Sequence, residues 1–94
     1  MYAIGLDIGT SGVKCTIFNE YAQTFYTSLV EYNVICKQAG YYELDPNILR
    51  ESAYDAIRMA IQKCNKNEIK AICVTSIGES FVCLDKNDNV LSNT

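Results

Sequence analysis

The run GLDIGTSGVKC, from Gly5 to Cys15, restricts the possible folds more than any other part of the sequence. Tyr2–Ile8, rich in Ile and Leu, reads as a strand, and Val13–Phe18 reads as a second. The loop Gly9-Thr10-Ser11-Gly12 between them makes an antiparallel hairpin the natural reading. A hairpin needs neither Asp7 nor Lys14. Asp7 stands at the carboxyl end of the first strand, where α/β sheets place their ligands, and Lys14 lies one residue into the second strand.

The rest of the chain says what surrounds this hairpin. Thr24–Val34, with Phe25, Tyr26, Thr27, Val30, Tyr32 and Val34, reads as a third strand that completes a meander, and Cys36–Leu44 reads as loop. Asp45-Pro46 is a helix start: the Asp side chain accepts backbone N–H bonds, and Pro at the first helical position gives up an N–H that has no partner anyway. The helix is expected to run to about Cys64, with Leu49, Ala53, Ala56, Ile57, Ala60, Ile61 and Cys64 on one face. Its roughly 19 residues at 1.5 Å each would span ~28 Å, enough to cross a sheet. Lys70–Thr75 is nearly all apolar, as in strands buried on both faces. Phe81–Leu84 reads as a further strand before the turn Lys86–Asn89. The expected fold is therefore α/β, in the order β-β-β-α-β, with a mixed sheet and a right-handed crossover.

Composition excludes several functions. Ninety-four residues make at most one domain, burying about 60–65% of the unfolded surface. The net charge of −3, with no basic run, argues against nucleic acid or an anionic membrane as partner. Five cysteines without a CxxC, and no histidine, argue against a zinc site or disulfide framework. Buried, reduced thiols are expected instead, in a cytoplasmic protein. No basic leader precedes the first apolar run, which Asp7 interrupts, so neither a signal peptide nor a membrane span fits.

Successive backbone N–H groups in a Gly-rich turn form a concave anion site. Thr10 and Ser11 add hydroxyl donors, Gly9 and Gly12 allow close approach to the main chain, and Lys14 adds a positive charge. Asp7 would be a poor neighbour for a phosphate on its own. Two like charges ~4 Å apart repel by about 4 kcal/mol at an effective dielectric near 20. A carboxylate beside a phosphate nest thus implies a divalent cation between them, and Mg²⁺ suits an oxygen-rich, partly hydrated position. The motif is not a Walker A loop, because Lys14 follows Val13 inside a strand rather than opening a helix. A plain hairpin with a polar tip and a snorkelling lysine uses the same residues, and spacing leaves both readings open.

IGLDIGTSGVKCTIFNE, from Ile4 to Glu20, resembles the first phosphate motif of the FGGY carbohydrate kinases, which include xylulose, gluconate and glycerol kinases. Gly40, Glu43, Asp45 and Pro46 match that family's G-x-x-E-x-D-P, and AICVTSIGESFVCLDKNDNVL continues the likeness, so it covers essentially the whole chain. The resemblance implies a partial ribonuclease H-like domain of the actin–hexokinase–Hsp70 superfamily. It implies ATP and Mg²⁺ as cofactors, with Gly9, Thr10, Ser11, Gly12 and Lys14 at the phosphates and Asp7 holding the metal, generally through water. It also implies phosphorylation of a sugar or polyol hydroxyl. Where xylulose-type members carry Gln-Met-His and glycerol kinases Gln-Arg-Glu, this chain has Ile77-Gly78-Glu79. Gly78 and Glu79 are then the expected substrate contacts, Glu79 accepting from substrate hydroxyls; a solvated turn glutamate is the competing reading.

In the family the general base and the adenine pocket lie further along the chain. Residues 1–94 are thus expected to be the amino-terminal part of the first kinase domain, without the second domain, and inactive alone. Glu51 and Asp55 read as solvated helix charge. An alternative reading is a non-catalytic binding or assembly module that keeps the hairpin, and half a sheet with a bare edge would favour a homodimer. Another superfamily ATPase fits the Glu-Leu-Asp-Pro helix entry less well.

Overall fold

The computed structural model describes all 94 residues. Strands β1 (Tyr2–Ile8), β2 (Gly12–Asn19) and β3 (Thr24–Glu31) are followed by β4 (Ile35–Gln38) and β5 (Tyr41–Glu43). Helix α1 (Pro46–Ile61), one 3₁₀ turn (Lys66–Glu68) and β6 (Ile69–Thr75) complete the elements. The main sheet has the order β3-β2-β1-β6. β1–β2 and β2–β3 are antiparallel, and β1–β6 is parallel. The expected mixed sheet in a β-β-β-α-β order is present, with the small β4–β5 hairpin added.

The period of two along each strand divides the sheet into two faces. Ile4 and Leu6 of β1 and Val13, Cys15 and Ile17 of β2 are buried against Ala53, Ala56 and Ala60 of α1. Alanines on that stripe let the helix sit close to the sheet, and the Ser28 hydroxyl donates to the Ala56 carbonyl at 2.7 Å. Val13, Cys15 and Ile17 have no exposed surface. Full burial of a Val or Ile side chain contributes about 1.5–3 kcal/mol. β2, the strand that carries Lys14, is therefore the most firmly anchored. The opposite sheet face, with Asp7, Lys14, Leu29 and Glu31, is open.

The α1 start follows the sequence reading, with Asp45 Oδ1 accepting from the Asn47 N–H at 2.9 Å and Pro46 in the first turn. The helix ends at Ile61 rather than Cys64. Lys63 N–H donates to the Ala60 carbonyl at 3.0 Å, a 3₁₀-type bond that tightens the last turn. Asn65 then caps the short 3₁₀ turn. β3 stops at Glu31 rather than Val34, because its ladder with β2 ends at the Gly12–Glu31 pair, beyond which only the Tyr32 N–H still reaches the hairpin, at the Ser11 carbonyl. Cys36–Leu44 is not loop throughout but carries the β4–β5 hairpin, turned at Gly40 with φ +85°. Gly tolerates that conformation without strain.

Two larger corrections concern the C-terminal third. β6 is not buried on both faces: α1 lies over β1, β2 and β3, and Ile72 and Val74 are 53% and 54% exposed. Phe81–Leu84 forms no strand. It contributes only a single bridge, Leu84 to Val90, across a turn held by Asp85. Of the five cysteines only Cys15 is buried; Cys36, Cys73 and Cys83 are exposed and none is disulfide-bonded. No helix is long and apolar enough to cross a membrane.

Candidate functional site

The β1–β2 register places Asp7 opposite Lys14 at the end of the open sheet face. The turn between them closes through one backbone bond, Gly9 N–H to the Gly12 carbonyl at 2.9 Å. Neither Thr10 nor Ser11 adopts a left-handed conformation. Their N–H groups have no acceptor within the chain, and their hydroxyls make no internal hydrogen bond. A cavity of about 580 Å³ opens over them, lined by Asp7, Gly9, Thr10, Ser11, Gly12 and Lys14 of the hairpin and by Leu29, Glu31, Tyr32 and Asn33 of β3 and its exit. The six hairpin residues singled out from the sequence thus come together on one concave surface.

Gly12 is glycine because of packing. A Cβ there would lie 2.8 Å from the Val30 carbonyl oxygen. Small residues at this end of the hairpin bring β3 close and form one wall of the cavity.

The charged groups are free. Asp7 and Lys14 face each other across the ladder, yet the only ion pair in the molecule is Arg58–Asp55 on the outer helix surface. Both are exposed at the cavity wall. The donor set fits a magnesium-bound polyphosphate: two unpartnered amides, two hydroxyls and an ammonium for anionic oxygens, and one carboxylate for the cation. No group of three or more acidic, Cys or His side chains gathers anywhere. Asp7 alone cannot cage a cation, so Mg²⁺ would need phosphate oxygens and water for its remaining positions, as it commonly does.

Tyr32 is the residue that sequence reasoning missed, having read it as one more β3 position. Its hydroxyl donates to the Gly9 carbonyl and its own N–H to the Ser11 carbonyl at 3.1 Å. Burial, and then the charge of Asp7, pushes its hydroxyl pKa above the usual tyrosine range, so the group stays a donor. Nothing in the sequence signals this contact, which joins residues 23 apart.

Glu79 lies elsewhere. With Ser80, Phe81 and Ser92–Thr94 it lines a separate cavity of about 360 Å³. That cavity is shaped by the return of the chain to the start of α1, where Leu44 and Thr94 exchange two backbone bonds of 2.7 and 3.0 Å, and by a Ser80–Thr94 hydroxyl contact. Glu79 itself is left-handed, at φ 59°, an uncommon conformation for a non-glycine residue that marks local constraint. Gly78 beside it is open, with nothing within 4 Å of where a Cβ would stand, and it lines neither cavity. Glu51 and Asp55 are exposed on the outer helix face, as read from the sequence.

Comparison with known proteins gives a consistent result. The profile for the FGGY family of carbohydrate kinases, N-terminal domain, matches residues 2–94. The xylulose kinase of Staphylococcus xylosus is 28% identical over 88 residues, which is 94% of this chain and 18% of that protein. The glycerol kinase of Clostridium perfringens is 31% identical over 91 residues, covering 95% of this chain and 18% of that protein. Among solved structures, gluconate kinase from Lactobacillus acidophilus superposes with TM-score 0.91 at 27% identity, over 98% of this chain and 18% of that one. Xylulose kinase from the same organism gives TM-score 0.91 at 27% identity, over 98% of this chain and 19% of that one. The chain therefore spans about 18% of the length of the relatives it matches.

Proposed function

The chain belongs to the FGGY family of carbohydrate kinases, and on that premise we propose that it supplies the phosphate- and magnesium-binding hairpin for ATP-dependent phosphorylation of a sugar or polyol hydroxyl. The observation that carries this reading is the pair of unpartnered amides, Thr10 and Ser11, lining one cavity together with a free carboxylate and a free ammonium. Phosphoryl transfer demands mainly positioning and charge neutralisation, and these residues provide both. Thr10, Ser11 and Lys14 hold the phosphate oxygens, Gly9 and Gly12 let them approach the main chain closely, and Asp7 would hold Mg²⁺ through its carboxylate. The cation, when bound, neutralises charge that develops between the β- and γ-phosphoryl groups.

Gly78 and Glu79 are assigned to the acceptor side, Glu79 accepting hydrogen bonds from sugar or polyol hydroxyls. No residue here takes the acceptor proton. On this reading residues 1–94 form the amino-terminal part of the first domain, and the base, the adenine pocket and the second domain are assigned outside them. We place the working protein in the cytoplasm. The experiment is a coupled ADP-release assay on the 94-residue chain and on the same chain extended to the length of its relatives, with xylulose, gluconate and glycerol offered in turn. Acceptor-dependent ADP release from the extended protein alone is the expected result. Turnover by the 94 residues alone, or none by either, would contradict it.

A second reading, a non-catalytic assembly module, is favoured by β6, whose apolar residues and outer edge are uncovered. Such an edge is a template for strand pairing. A homodimer by sedimentation at micromolar concentration would support this reading, and a monomer would remove it.

A further inference from the structure

We propose that Tyr32 is a positioning residue for the phosphate hairpin, holding the carbonyls of Gly9 and Ser11 so that the amides of Thr10 and Ser11 point outward. The inference rests on the reading of the hairpin as a phosphate site, and goes beyond it by naming what holds the amides in place. An ordinary two-residue hairpin closes with two backbone bonds between its flanking residues, and its favoured turn types place central residues in left-handed conformations. Here only Gly9 N–H to the Gly12 carbonyl forms, and neither Thr10 nor Ser11 is left-handed. The Gly9 carbonyl, deprived of the Gly12 N–H, receives the Tyr32 hydroxyl instead.

Tyr32 acts twice. Its backbone N–H takes the Ser11 carbonyl at 3.1 Å while its side chain reaches Gly9. In a trans peptide the C=O and N–H of one unit point in opposite directions. Tying the Gly9 carbonyl inward therefore turns the Thr10 N–H outward, and tying the Ser11 carbonyl fixes the peptide on the other side of the Thr10–Ser11 unit. A side chain anchored at the exit of β3 thus sets the orientation of two donors it does not itself touch. Without the hydroxyl the Gly9 carbonyl can swing to the Gly12 N–H and the turn can re-form around different amides.

The experiment compares wild type with Tyr32→Phe, which removes the hydroxyl but keeps the ring and the backbone N–H. Both are titrated with inorganic tripolyphosphate in excess Mg²⁺, following the backbone amides and the Gly9 carbonyl by NMR. Three results are expected: saturable shifts at Thr10 and Ser11 in wild type, a displaced Gly9 carbonyl resonance in the free variant, and about fivefold weaker binding in the variant with its remaining spectrum unchanged. Equal affinity in the two folded proteins would overturn the role of Tyr32 while leaving the phosphate site intact. No response at Thr10 and Ser11 in wild type would instead overturn the phosphate site, whatever the Gly9 carbonyl does. Should the variant fail to fold, the wild-type Tyr32 hydroxyl proton decides: protection from solvent exchange supports the contact with Gly9, and averaging with water refutes it.

Discussion

Replacing Gly12 by Ala tests whether the hairpin is held by close backbone approach. The added Cβ would lie 2.8 Å from the Val30 carbonyl oxygen, 3.3 Å from Glu31 Cα and 3.5 Å from Leu29 Cδ1. Close carbon–oxygen contacts sit at about 3.3–3.6 Å, so the overlap is roughly half an ångström. The atom it strikes is backbone in the β2–β3 ladder, where Gly12 pairs with Glu31 and Val13 with Val30, so it cannot rotate away. Overpacking of this kind costs about 1–3 kcal/mol. At roughly 4–8 °C per kcal/mol for a domain of this size, the melting temperature should fall by about 4–24 °C. Gly78→Ala is the control, since its Cβ meets nothing within 4 Å and its φ is not left-handed. It should melt with wild type or up to about 1 kcal/mol higher in stability. Thermal unfolding followed by circular dichroism compares the three proteins. If Gly12→Ala melts as high as Gly78→Ala, the close-approach argument is wrong.

Asp45→Ala removes the carboxylate that accepts the Asn47 N–H and should cost about 1 kcal/mol, while Asp45→Asn should stay close to wild type in urea titrations. Alkaline stability should depend on Cys15. Burial pushes its thiol above the usual range, against a smaller opposite pull from the Ser28 hydroxyl. The unfolded thiol ionises near about pH 8.5, before the folded one does. The contribution is thus full below that pH and lost as pH rises through the folded value. Melting temperatures between pH 8 and 10.5 should fall more steeply for wild type than for Cys15→Ala, and parallel slopes would count against the assignment.

The parts of the fold legible in the sequence are those fixed by local chemistry. The hairpin, the Asp45-Pro46 helix entry and the alanine stripe of α1 each follow from a few neighbouring residues. β6 differs from its sequence pattern because a continuous apolar run reports only that a strand can be covered on both faces, and within these residues α1 covers the sheet over other strands. The β4–β5 hairpin is not legible in the sequence because four- and three-residue strands carry too few positions for an alternation to stand out. The same logic divides the site. Asp7, Thr10, Ser11 and Lys14 are close in sequence and are grouped by spacing, whereas Tyr32 reaches Gly9 only because β3 pairs antiparallel alongside β2. The separation of Glu79 from the hairpin likewise depends on the path of the chain after Thr75, which no local pattern specifies.

A magnesium-bound phosphate on this hairpin requires Asp7 and Lys14 to act together. Calorimetric titration of tripolyphosphate into wild type, Asp7→Asn and Lys14→Ala, each with and without Mg²⁺, separates their parts. Wild type should bind more tightly with Mg²⁺ than without it. Asp7→Asn should lose most of that difference, and Lys14→Ala should weaken binding by about tenfold under both conditions. Affinities unchanged by Mg²⁺ and by either substitution would contradict the claim that this hairpin holds a magnesium-bound phosphate tail.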